Sequence, residues 1–147
     1  MPTDTGDAAA PATLVVDGNN VMGAAADGWW RDRQGAVLRL AGRLERYRER
    51  TGEPVVLVLD VPHPELPEGG GGGPGEGRVG VRYPARRGRD AADDRIVALL
   101  DEWGDGAGPD EVVVVTSDRA LADRVAGRGA AVVGAGSFLS RLGALGL

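Results

Sequence analysis

The chain contains no cysteine and a single histidine, His63, among 147 residues. The first absence excludes disulfides and thiolate zinc sites, and the second excludes a multi-histidine metal centre. Any bound metal must therefore be held by oxygen, which favours magnesium, manganese or calcium. Lysine is also missing, since all 17 basic residues are arginine. A phosphate-binding P-loop needs its lysine, so that class is excluded, and a phospho-accepting receiver domain is disfavoured for the same reason. The arginine bias can equally come from a GC-rich genome, so the placement of the arginines carries more than their number. Long apolar runs are absent too. Nothing approaches the roughly 20 residues of a membrane helix, and the start, Met1 to Thr13, is acidic and Ala-rich rather than basic and then apolar. We expect a cytoplasmic protein with no membrane partner.

What is present suits one domain. Hydrophobic residues make up 42% of the chain, enough for a packed core at this length. Residues 1–12 read as a disordered leader and 13–147 as the domain. Short β-branched runs alternate with helical patterns, the signature of a central, mostly parallel sheet flanked by helices, a three-layer α/β arrangement of Rossmann type. The predicted strands are Thr13 to Asp17, Val55 to Asp60, Val79 to Tyr83, Val112 to Thr116 and Ala130 to Val133. The runs VVLVL and VVVV are continuously apolar, so they read as strands buried on both faces.

Helical spacing places Val37, Leu40, Ala41, Leu44 and Tyr47 on one face of a helix from Gln34 to Arg50, with Gly52 as its left-handed cap. Arg39, Arg43, Arg46 and Arg50 line its other face, either as a solvated stripe or as part of a basic surface. A second helix is predicted from Asp90 to Trp103, with Ala92, Ile96, Leu99 and Trp103 inward. A third runs from Ala120 to Ala126, and Ser137 is the expected N-cap of a short last helix. Residues 62–77 hold four prolines and five consecutive glycines, and read as a flexible loop with almost nothing to offer a core.

Three apolar runs end in aspartate: Asp17 after LVV, Asp60 after VLVL and Asp118 after VVVVTS. In an open parallel sheet all three reach the carboxyl edge, where ligands bind at the point of strand-order reversal. Converging carboxylates repel unless a proton or cation intervenes. Aspartate also ends strands and caps helices with no further role. Asp90 in DAAD can cap the helix that follows, and Asp60, just before Pro62, can simply open a turn. At about 100° per residue, Asp93 falls beside the apolar face of its helix while Asp94 points nearly opposite, either to solvent or to the site through a water. Asn20, Thr116 and Ser117 stand where they could orient ligands, or merely close strand ends.

Taken together, DGNN, the LVLD strand, AADDRI and VVTSD resemble the NYN group of PIN-like nucleases, and more closely its bacterial YacP-type members. The similarity runs from about Leu14 to Ser140. It implies a PIN-like fold and magnesium- or manganese-dependent endoribonuclease activity, in some members on messenger RNA associated with the ribosome. It also implies metal-site carboxylates at Asp17, Asp93 and Asp118, a second acidic position at Asp94, an Asp90 where relatives often have Glu, and an asparagine at Asn20 among the catalytic residues. The glycine-rich loop is longer than usual for the group, and a basic extension carried by some relatives is not seen after the last strand.

An RNA substrate meets an acidic site on a chain of net charge −5, so a local basic surface is required. From Arg78 to Arg89 the sequence has five arginines and no acid. Arg82, Arg86, Arg87 and Arg89 are the expected phosphate contacts, with Tyr83 available to stack on a base. Trp29 and Trp30 fit core or interface positions better than base platforms. A non-catalytic RNA- or ribosome-binding module and a small-molecule phosphohydrolase are the competing functions.

Overall fold

The strongly apolar runs form the middle of a sheet. The structure is a computed structural model that describes residues 11–25, 27–70 and 78–147. Five strands, β1 (Thr13–Asp17), β2 (Val55–Val58), β3 (Gly80–Arg82), β4 (Val112–Val115) and β5 (Ala131–Val133), pair in the order β3-β2-β1-β4-β5, and every pairing is parallel. The expectation of a mostly parallel sheet thus becomes an all-parallel one. The five strands stand where the sequence placed them, β1 with the same bounds and the other four shorter by one or two residues. The leader, apart from Pro11 and Ala12, and positions 71–77 of the glycine-rich segment lie outside the described residues.

Alternate residues of the strands feed two cores. Val16, Leu57 and Val115 meet helices α1 (Gly18–Ala24), α2 (Arg33–Thr51) and α5 (Ala135–Ala144) on one face. Val15, Val56, Val58 and Val114 meet α3 (Ala91–Trp103) and α4 (Arg119–Ala126) on the other. Each fully buried Val or Leu contributes roughly 1.5 to 3 kcal/mol. This double covering explains why β1, β2 and β4 read as continuous apolar runs.

Local signals set the helix ends. The side chain of Asp32 accepts the Gly35 N–H at 3.0 Å to begin α2, and Gly52 ends it at φ 76°, donating its N–H to the Arg48 carbonyl. Ala36, Leu40, Leu44 and Tyr47 are its buried residues, while Val37 and Ala41 pack at the margin. On α3 the buried set is Ala91, Ile96, Val97, Leu99 and Leu100, with Ala92 and Trp103 only partly covered. The expected stripe was too narrow, because this helix packs on β1, β2 and α4 together and buries a wider face.

Two local expectations are corrected. Ser137 does not cap α5. It is exposed inside the first turn, and Ser117 instead receives the Ala135 N–H on its Oγ at 2.8 Å. Nor is the segment after Leu59 empty of core residues. His63 is buried with Nε2 bonded to the Gln34 carbonyl, Leu66 packs on the core, and Gly69 pairs with Val81.

The DGNN segment passes from strand directly into helix. Helix α1 begins directly at Gly18, pressed against β2. A Cβ there would sit 2.7 Å from Leu59 Cδ2, 2.8 Å from Leu57 Cδ1 and 3.0 Å from the Val58 carbonyl oxygen. Both leucines are fully buried and cannot swing away. Gly18→Ala is therefore expected to lower stability by about 1 to 2 kcal/mol despite alanine's better helix propensity, seen as a lower urea midpoint at unchanged m. A midpoint at or above wild type would contradict this packing.

Candidate active site

Strand order reverses between β1 and β4, so the loops leaving their carboxyl ends diverge and open a crevice. Asp17, the last residue of β1, forms its floor and is 5% exposed. Asp118 stands at the N-cap of α4, and Asp93 in the first turn of α3. With Asn19, Asn20, Asp60, Arg89 and Asp90 they line a depression of about 320 Å³.

One hydroxyl joins two of these acids. Thr116 Oγ1 donates to Asp17 Oδ2 at 2.8 Å and accepts the Asp118 N–H at 3.0 Å. The first turn of α1 acts as a bracket. Asn20 Oδ1 accepts the Ser117 N–H at 2.7 Å, and Asn19 Oδ1 accepts the Asp60 N–H at 2.9 Å, so adjacent amides fasten the loops leaving β4 and β2. Asp118 has two tasks, since its Oδ1 also accepts the Leu121 N–H at 3.1 Å.

The electrostatics show that these carboxylates face one another. Burial raises the pKa of Asp17 from 3.8 to about 6, opposed by the Thr116 hydroxyl and helped by the charges of Asp93 and Asp118, while the Asn20 backbone pulls it down. Asp93 is raised by burial first, then by Asp118 and Asp90, with Arg124 opposing. Asp90 lies on the crevice wall in the left-handed region, at φ 60°, and makes no side-chain cap bond. Its expected capping role is not seen.

A model of the YacP-like NYN domain matches residues 14–145. The chain belongs to the YacP-like NYN domain family. Among solved structures, Rae1 (YacP) from Bacillus subtilis superposes with a TM-score of 0.69 at 26% identity, covering 90% of this chain and 74% of that one. A tryptophan-to-leucine mutant of the same protein gives 0.69 at 23%, covering 90% and 76%. No curated protein matches.

Within this NYN domain, Asp94 is separated from the other acids. Its carboxylate is paired with Arg86 and, at 2.9 Å, with Arg124, and these two guanidiniums hold its pKa below the usual value. It faces the depression behind α3 rather than the crevice. The helical phase that set it apart from Asp93 is the reason.

The basic segment is also divided. Arg86 is occupied by Asp94 and by the carbonyls of Arg87 and Arg89. Arg82 donates to the carbonyls of Gly70 and Val81. Arg87 and Arg89 are exposed, and Arg89 lines the crevice itself. Tyr83 is no stacking platform: it is 8% exposed, and its hydroxyl donates to the Leu66 carbonyl at 2.6 Å and accepts the His63 N–H at 3.1 Å. In the α2 stripe, Arg43 and Arg50 donate to the carbonyls of Leu147 and Leu145, so those two arginines hold the end of α5.

The donor set suits a hard cation, being carboxylates and amide oxygens throughout. Among the described residues, however, no three Asp, Glu or His side chains are grouped closely enough to hold one ion directly. The arrangement fits an ion that keeps much of its water and takes one or two carboxylates, as magnesium does. Sequence reasoning missed Asn19 as a member of this site, although its place beside Asn20 at the end of a buried strand was a usable signal. No helix among the described residues is long and apolar enough to cross a membrane.

Proposed function

We propose that this NYN domain is a divalent-metal-dependent endoribonuclease, cutting single-stranded RNA at the crevice between β1 and β4. The observation that carries the reading is the convergence of Asp17, Asp93 and Asp118 at the switch point, where burial first and then the neighbouring carboxylates raise Asp17 and Asp93. Family membership supports it. Messenger RNA on the ribosome is the substrate form the resemblance implies, and it belongs to the same proposal.

One or two of Asp17, Asp93 and Asp118 would hold hydrated magnesium or manganese directly and the rest through its waters, with Asp90 available at the rim. When bound, such an ion polarises a phosphodiester and lowers the pKa of water. The chain's own groups do the positioning. Thr116 fixes the Asp17 carboxylate and the Asp118 backbone with one hydroxyl, and Asn19 and Asn20 hold the two loops at a set separation. Arg89 and Arg87 supply positive charge where RNA phosphates must pass an acidic surface.

The test is incubation with end-labelled single-stranded RNA in manganese or in chelator. Cleavage in manganese and none in chelator is expected. RNA binding without cleavage in either condition would replace the proposal with a non-catalytic RNA-binding module.

A further inference from the structure

A second depression adjoins the acidic crevice and differs from it in character. Its walls are Val37, Leu59, Val61 and Pro62, with Gln34 and Arg33 at the α2 side, and it shares Asn19 and Asp60 with the crevice. Val61, on its wall, is 46% exposed. The volume is about 180 Å³, below the roughly 300 Å³ at which pockets for drug-sized ligands begin.

We infer that this pocket takes one unstacked nucleobase of the RNA, from a nucleotide next to the bond cut in the crevice; the inference rests on the RNA-cleaving reading. An unstacked base has flat apolar faces and a polar edge, and it is recognised by apolar or guanidinium surfaces combined with amide groups. The pocket supplies each of these. Asn19 spends its carbonyl on the Asp60 N–H, which leaves its NH2 group to donate. Gln34 gives its backbone carbonyl to His63, so its side-chain amide is not needed there. Arg33 is held at the rim from two sides, its guanidinium 5.7 Å from the Trp29 ring centre and 3.7 Å from Asp60. It is the cation positioned to meet the phosphate between pocket and crevice. The small volume holds a single base and leaves the sugar and phosphates outside. Because Asn19 and Asp60 border both depressions, a base seated in one brings its neighbouring phosphate toward Asp17.

The experiment uses one RNA oligonucleotide with a mapped cleavage site and a set of copies carrying a single abasic residue, walked across the positions flanking the cut. In wild type, one abasic position beside the cut should lower kcat/KM at least about fivefold, since burying the apolar faces of one base against aliphatic walls is worth that much or more. More distant positions should have no effect. Val61→Asp, at an exposed position, and Val37→Phe, which fills the pocket, should each lower kcat/KM on intact RNA by a similar factor and lose the abasic sensitivity. Circular dichroism checks that both variants fold. Equal cleavage of all abasic copies by wild type, or variants that retain the abasic effect, would overturn the pocket while leaving the nuclease reading intact. No cleavage of intact RNA by wild type would overturn both.

Discussion

Without divalent ions, Asp17→Asn is expected to be more stable than wild type at pH 7. Burying a carboxylate disfavours its charged form, and the neighbouring charges of Asp93 and Asp118 add to this, which raises Asp17 from 3.8 to about 6. A shift of that size corresponds to an upper bound of about 3 kcal/mol. Asparagine is nearly isosteric and can still accept the Thr116 hydroxyl through its carbonyl, so most of the relief is realised. A gain of about 1 to 3 kcal/mol should raise Tm by roughly 3 to 10 °C for a domain of this size. The pH dependence has a definite sign. Between about pH 6 and pH 4 the folded protein binds a proton at Asp17 that the unfolded chain does not, so the penalty is full above pH 6 and disappears as pH falls through that range. The Tm difference between variant and wild type should therefore shrink from pH 7 to pH 4. Melting curves in chelator across this range check it, and a variant less stable than wild type at pH 7 would show that Asp17 serves the fold.

Asp118 is expected to separate structure from chemistry. Its carboxylate both caps α4 and faces Asp93 across the crevice. Asparagine caps helices about as well as aspartate does, so Asp118→Asn should keep the Leu121 N–H bond and lose only the charge. Asp118→Ala should lose both. Both variants should cut RNA about 100-fold more slowly or worse, since even outer partners of a metal ligand cost about 10- to 100-fold. Only the alanine variant should lose the cap, placing it about 1 kcal/mol below the asparagine variant. Rates from single-turnover cleavage and midpoints from urea titration measure the two effects separately. Equal midpoints would remove the cap, and wild-type rates would remove Asp118 from the site.

Much of this architecture was legible in the amino-acid order, for physical reasons that can be named. VVLV and VVVV are covered on both faces, which leaves the sheet's centre no polar alternation to hide behind. Asp17 and Asp118 follow such runs at the carboxyl edge, so parallel pairing alone brings them to one crevice. Helical phase correctly divided Asp93 from Asp94. What was not legible depends on partners distant in sequence. Arg86 is committed to Asp94, Tyr83 is drawn into the core by His63 and Leu66, and Ser117 rather than Ser137 serves α5. Asn20 was expected among the catalytic groups, and its side chain fastens the β4 loop, a role that only the contact with Ser117 shows. Asn19 had the same signature and was passed over, because its bond to Asp60 spans 41 residues.

The central claim is that the crevice acids cut RNA. It is tested most directly by single-turnover cleavage of labelled RNA in manganese at pH 8, comparing wild type with Asp17→Asn and Asp93→Asn. At that pH the Asp17 carboxylate of wild type is ionised, about two pH units above its raised pKa. The expected result is cleavage by wild type and a loss of about 100-fold or more in both folded variants, with RNA binding retained. Cleavage by both variants at the wild-type rate would place the chemistry elsewhere and contradict the account.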